Sequence, residues 1–121
     1  MASNRFSEQD YDRIYRRDAF TCVYCGFDGH AFENWMQLEL DHVIPISQEG
    51  KDTDDNLVTC CPHCNKVTNG MQDLKGLPIE KILSQKRDVV MKDRKALYSR
   101  WLESQLPSAN VVAARLGADQ A

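Results

Sequence analysis

The sequence predicts a small α+β fold, and three observations predict it. Two segments of strand character, LELDHVIPIS and NLVTC, are separated by a polar loop and followed by a short helical stretch. Two C-x-x-C pairs, Cys22/Cys25 and Cys61/Cys64, flank that unit. A long amphipathic pattern then fills residues 78 to 105. At 121 residues the chain has the size of one domain with a thin core, which a bound metal would help noticeably.

Each element has a local reason. Residues 7 to 18, SEQDYDRIYRRD, offer Ser7 as an N-cap and place Tyr11, Ile14 and Tyr15 at helical spacing. FTCVYCGFDG is a tight loop in which Gly26, directly after the second cysteine, supplies a permissive backbone. Residues 31 to 37 carry no clear pattern. LELDHVIPIS is one strand or a bent pair. Neighbouring side chains of a strand point to opposite faces, so Asp41 and His42 can serve one site only at a bend or a strand end. Pro45, which lacks an N–H, predicts that pairing stops just after His42. SQEGKDTDDN is a connecting loop with a turn at Gly50, and NLVTC returns as the partner strand. CPHCNKVTNG fits a short helix that starts at Pro62 and stops by Gly70.

In the long helical segment, Ile79, Leu83, Val90, Leu97 and Trp101 form the apolar stripe, expected to pack on the core. The polar stretch QKRDVV suggests a break, and Pro107 an end. Residues 107–121 are expected to be a loose tail or a docking segment. The domain so predicted covers residues 1–106, with an N-terminal helix at 7–18, a core at about 17–70 and a helical region at 78–105.

The longest apolar runs are far too short to span a bilayer, and MASNRFSEQD lacks a secretory apolar segment, so the expectation is a cytoplasmic protein without membrane contact. The net charge of −3 is unevenly spread. Residues 28 to 56 hold eight acids and one lysine, net −7, whereas residues 75 to 100 hold eight bases and three acids, net +5. An acidic average therefore conceals a basic segment.

In a reducing compartment, cysteines at paired x-x spacing favour metal ligation over disulfides. Two such knuckles supply the four thiolates of a tetrahedral zinc: Cys22, Cys25, Cys61 and Cys64. The zinc would clamp the first knuckle onto the strand-loop-strand unit and stabilise the fold directly. Cys60 adjoins Cys61 and offers an alternative C-x-x-x-C arrangement, although a small buried side chain at a strand end is the preferred reading. His63, inside the second knuckle, is a further possible ligand but is expected to face solvent, and His30 has no assigned role.

A second constellation consists of Asp41, His42, Asn56 and Asn65. With FTCVYCG before it and NLVTCCPHCN after it, LDHVIPIS resembles the HNH endonucleases, whose core is a ββα-metal (His-Me finger) unit. The resemblance runs from about Arg17 to Gly70, and the spacing is similar to that of the HNH domain of RNA-guided CRISPR effectors, which likewise have asparagine at the last motif position. It implies a four-cysteine structural zinc beside that core, with an N-terminal helix and a long C-terminal helix on its flanks. It implies further that His42 is the general base, that Asp41 and Asn65 hold one divalent cation, and that Asn56 fixes the loop orienting His42. Such residue types suit the task. A neutral imidazole can accept a proton from water near neutral pH, and a carboxylate with an amide oxygen suits Mg²⁺ or Mn²⁺. Thiolates, by contrast, select zinc.

The chain departs from many relatives in having Asn65 where they have histidine, and Thr68 or Asn69 where a basic residue often stands, leaving only Lys66 nearby. The expected activity is metal-dependent hydrolysis of DNA phosphodiesters, double-stranded DNA being the foremost substrate. The competing reading is a zinc-stabilised module that binds nucleic acid without cutting it, through Arg13, Arg16, Arg17 and the segment 75 to 100. A third use, contact with a protein partner or a second copy of the chain, would fall to the C-terminal helix.

Overall fold

The computed structural model describes the backbone of residues 5–120 and the side chains of residues 5–105. Helix α1 (Glu8–Arg17) starts where Ser7 and Asp10 close a reciprocal capping box. It buries Ile14, and its end is tied to the sheet. Arg17 donates to the carbonyls of Asp54 and Leu57, and the Asp18 carboxylate accepts from the Thr59 N–H at 2.8 Å.

Strands β1 (Glu39–His42) and β2 (Leu57–Cys60) form a two-stranded antiparallel sheet, with Asp41 opposite Val58 and His42 opposite Leu57. Two strands alone are marginal in water, so what covers them matters. All four residues of β2 are buried. Beyond His42 the chain leaves β1, passes Pro45 and makes a single 3-10 turn at Ile46–Gln48. Gly50 closes this loop so tightly that a side chain there would collide with the Ile44 carbonyl. Helix α2 (Pro62–Thr68) follows β2 directly, with Pro62 in its first turn, where the missing N–H costs nothing. The strand, loop, strand, helix order expected from the sequence is therefore present in a small α+β fold.

Helix α3 (Ile79–Gln120) differs from expectation in three ways. It is continuous through residues 85–90, where a break was expected. The buried positions are Ile82, Lys86 and Val90, spaced by four, while Ile79 and Leu83 are half-buried and Leu97 and Trp101 remain 38% and 54% exposed. The polar residues that suggested a break include Lys86, whose stem lies in the core and whose ammonium is paired there. Finally, the helical backbone passes through Pro107 instead of stopping. A proline removes one intrahelical hydrogen bond and bends a helix, but the helix-favouring residues beyond it, VVAARL, carry the ladder on. The expected loose tail is thus helical in backbone as far as Gln120, and its docking role concerns side chains outside the described residues.

The chain divides between Val90 and Met91 into two compact units. In the first, Cys22, Tyr24, Val43, Val58, Leu74 and Ile82 are core residues. The Arg87 guanidinium, donating to the Val23 carbonyl at 2.8 Å, fastens the start of α3 to the first cysteine knuckle. Among the described residues no helix is long and apolar enough to cross a membrane.

Candidate active site and four-cysteine cluster

The first knuckle is shaped by its own backbone. The Cys22 N–H donates to the Phe27 carbonyl, the Gly26 N–H donates to the Cys22 carbonyl, and Gly26 takes φ +81°. That conformation favours glycine. A bond from the Val23 N–H to the Thr59 carbonyl, 3.0 Å, lays the knuckle beside β2. The second pair brackets the start of α2, with Cys61 as its N-cap and Cys64 in its first turn. The four sulfurs of Cys22, Cys25, Cys61 and Cys64 lie within 4.8 Å of one another, and Cys25 and Cys61 are 3.8 Å apart. A tetrahedral zinc with Zn–S bonds of about 2.3 Å separates its sulfurs by about 3.8 Å, so the donor set fits that ion. Cys60, fully buried at the end of β2, and His63, exposed on α2, are not members of the set.

Burial pushes the Cys22, Cys60 and Cys64 thiols up. At Cys25 burial acts the same way but is outweighed by the Phe27 N–H and by the thiols of Cys64, Cys22 and Cys61, and that thiol is lowered. A metal ion would reverse the burial penalty for its ligands, because its charge stabilises thiolates.

The second constellation surrounds a cavity of about 310 Å³ whose lining includes Asp41, His42, Asn65 and Lys86, with Ser47 and Thr68. β1 carries the first two to its end, and the turn after His42 lets sequence neighbours border one space. Asp41 is buried, and its Oδ2 accepts from the Tyr24 hydroxyl at 2.6 Å and from Lys86 Nζ at 3.1 Å. Lys86 is 2% exposed. It also donates to the His42 carbonyl at 3.2 Å and lies 5.6 Å from the centre of the Tyr24 ring. Burial, and then the Asp41 charge, push the Tyr24 hydroxyl up, so it remains a donor.

His42 Nε2 is 2.6 Å from a carboxylate oxygen of Asp52, and its ring lies 5.6 Å from that of Phe6. Arg5 also binds Asp52, at 2.9 Å, and these two partners, Arg5 first, hold that carboxyl below its ordinary value. The Asn65 side-chain N–H donates to Glu39 at 2.8 Å. Asn56 is buried and clasps the loop that follows His42. Its amide oxygen accepts from the Ile44 N–H, and its amide nitrogen donates to the carbonyls of Ile44 and Lys51. Its backbone carbonyl accepts from the Val43 N–H at 2.8 Å.

Four residues of this site escaped sequence reasoning: Lys86, Tyr24, Asp52 and Glu39. Lys86 had a signal, since it stands four residues from both Ile82 and Val90 and so belongs to the buried row of α3. Asp52 had none, being one acid among several in a polar loop. The basic residues expected to hold nucleic acid are distributed differently from that expectation. Arg13 pairs with Asp54 and Asp10, Arg16 with Asp12, and Arg17 with Asp18. Their charges are engaged within the fold, whereas Lys81, Lys92, Lys95 and Arg100 on α3 are exposed. His30 is also exposed, packed edge-on to Phe20 at 5.3 Å between ring centres.

This arrangement coincides with a recognised region. Residues 22–69 match the family model of the HNH endonuclease. The chain is 45% identical over 66 residues to the Type IV methyl-directed restriction enzyme EcoKMcrA of Escherichia coli (strain K12), covering 53% of this chain and 24% of that protein. It therefore spans about a quarter of the length of the curated relative it matches. The matched region encloses all four clustered cysteines together with Asp41, His42, Asn56 and Asn65, while Lys86 lies beyond it. The segment from Cys22 to Asn69 is an HNH endonuclease domain.

Proposed function

We propose that this protein is a divalent-metal-dependent endonuclease that hydrolyses DNA phosphodiesters, built on a ββα-metal core with a structural zinc. The observation that carries the reading is the shared cavity: Asp41, His42 and Asn65, from a strand end and a following helix, border one space within the matched family region. Zinc belongs to the four thiols, whose spacing suits its tetrahedron. Asp41 and Asn65 offer a carboxylate and an amide oxygen, a donor set for Mg²⁺ or Mn²⁺. Such a cation supplies neutralisation of the phosphate and stabilisation of the leaving oxygen.

The remaining work falls to protein groups. Asp52 holds Nε2 of His42, so Nδ1 is the nitrogen that accepts a proton from the attacking water. The water oxygen bonds to phosphorus as the bond to the 3′ oxygen breaks, giving the 5′-phosphate and 3′-hydroxyl ends that the HNH resemblance implies. Asn56 keeps the loop beside His42 in place through its bonds to Ile44 and Lys51. The exposed bases of α3 are the candidate contacts to the DNA backbone.

The test is supercoiled plasmid incubated with the zinc-loaded protein, with and without Mg²⁺ or Mn²⁺, beside a His42→Ala variant. Nicked or linear product that requires both the cation and His42 is the expected result. Retardation of the plasmid without cleavage would transfer the assignment to a binding module, and cleavage by His42→Ala at the wild-type rate would remove the histidine from the mechanism.

A further inference from the structure

Among the described residues, Lys86 is the one buried cation of the site, and the mechanism above does not use it. Its ammonium sits on Oδ2 of Asp41 and on the carbonyl of His42, so it touches the proposed metal ligand and the backbone of the proposed base at once. Tyr24 donates to that same Oδ2, which leaves Oδ1 as the oxygen that Asp41 has for a cation. The other polar groups of the cavity wall include Asn65, Ser47 and Thr68, which carry no charge. Asp41 and Lys86 therefore balance, and this cavity wall offers an arriving divalent ion oxygen atoms but little net attraction. A DNA phosphate brings the negative charge that the wall lacks.

We infer that Lys86 is a positioning residue that competes with the divalent cation for the Asp41 carboxylate, so that the cation binds firmly only together with the DNA phosphate. This inference rests on the assignment of Asp41 as a metal ligand. Its logic is electrostatic. A cationic neighbour at this range disfavours a second positive charge on the same carboxylate, as it disfavours a proton there by about one unit or more. The ammonium also fixes the rotamer of Asp41, so removing it should loosen the geometry while tightening ion capture. Those opposed effects separate this role from simple packing, which would weaken both together.

The experiment measures Mn²⁺ binding by electron paramagnetic resonance on zinc-loaded protein, with and without a short DNA duplex. All proteins carry His42→Ala so that the duplex survives. Lys86→Met is compared with Lys86→Gln, which keeps a donor for Oδ2 but not the charge, and with Lys86→Arg, which keeps the charge. Zinc content and circular dichroism establish folding, so that if one neutral variant fails to fold the other serves. The expected result without DNA is Mn²⁺ affinity about tenfold tighter or more in the neutral variants than in the parent or in Lys86→Arg. The duplex should tighten Mn²⁺ binding strongly in the parent and much less in the neutral variants. In the cleaving background, Lys86→Met should cut more slowly despite saturating at lower Mn²⁺. Equal or weaker Mn²⁺ affinity in both neutral variants would overturn the inference while leaving the endonuclease reading intact. An Asp41→Asn control whose Mn²⁺ binding in the presence of DNA is unchanged would instead strike the metal-ligand assignment itself.

Discussion

The thiol cluster and the oxygen-lined cavity share the same two short strands and α2, yet they are built on opposite plans. In the cluster, four like donors face one another within 4.8 Å, three of them buried, and the protein supplies the whole tetrahedron. In the cavity each donor already has a protein partner: Tyr24 and Lys86 on Asp41, Asp52 on His42, Glu39 on Asn65. The contrast is between a site that is complete in itself and one whose groups are aligned by second partners while room is kept for a visitor. The first plan suits holding a fold together, and the second suits chemistry on something that comes and goes.

This comparison can be broken at several points, beginning with the most damaging. Stripping zinc with a chelator, or replacing Cys61 with serine, should unfold the first unit, because a structural zinc contributes apparent binding energy on the order of 10 kcal/mol. Far-ultraviolet circular dichroism and zinc content would show it, and a protein that keeps its fold without metal would put the cluster on a par with the cavity. His42→Ala should reduce the cleavage rate by about 100-fold or more while the thermal midpoint hardly moves. Parallel loss of both would mean that the cavity, too, is structural.

Smaller effects sharpen the picture. Asn56→Ala removes three side-chain hydrogen bonds from a buried site and should cost about 2–4 kcal/mol in urea unfolding, with zinc still bound. Tyr24→Phe deletes only the hydroxyl on Asp41, at about 1 kcal/mol, and should slow cleavage more than it lowers stability. The smallest effect concerns acid. Asp10, Asp52 and Asp54 are held below the ordinary carboxylate value of 3.8, by Ser7, Arg5 and Arg13 foremost. Their contribution is complete above that value and disappears as the pH falls through their lowered folded values. All three are exposed, so replacing Asp54 with asparagine should flatten the acid limb of the stability curve only slightly.

What was legible in the sequence was whatever is encoded locally. The capping residue Ser7, the paired cysteines, the proline after His42 and the turn glycines each act within a few positions, and each marks an element that forms. Long-range choices were not legible. Leu97 and Trp101 were assigned to the buried stripe by periodicity, yet the face that enters the core is the neighbouring row through Ile82, and periodicity cannot say where along a long helix the core stops. Lys86 was read as an interruption because a lysine counts as polar until a buried carboxylate is known to await it. The pairing of Asp52 with His42 depends on how the intervening loop folds, and no spacing rule reports that.

β2 has a consequence for how this protein can vary. Asn56 stands immediately before the strand and Cys61 immediately after it, so four residues separate the amide that braces the loop from a thiol of the cluster. Adding or deleting one residue there would turn every following side chain to the other face. The braced loop and the sulfur tetrahedron could then no longer both be satisfied. Viable length changes among variants are expected in the connections outside this ruler, and a library of single-residue insertions scored for zinc retention would map its two ends.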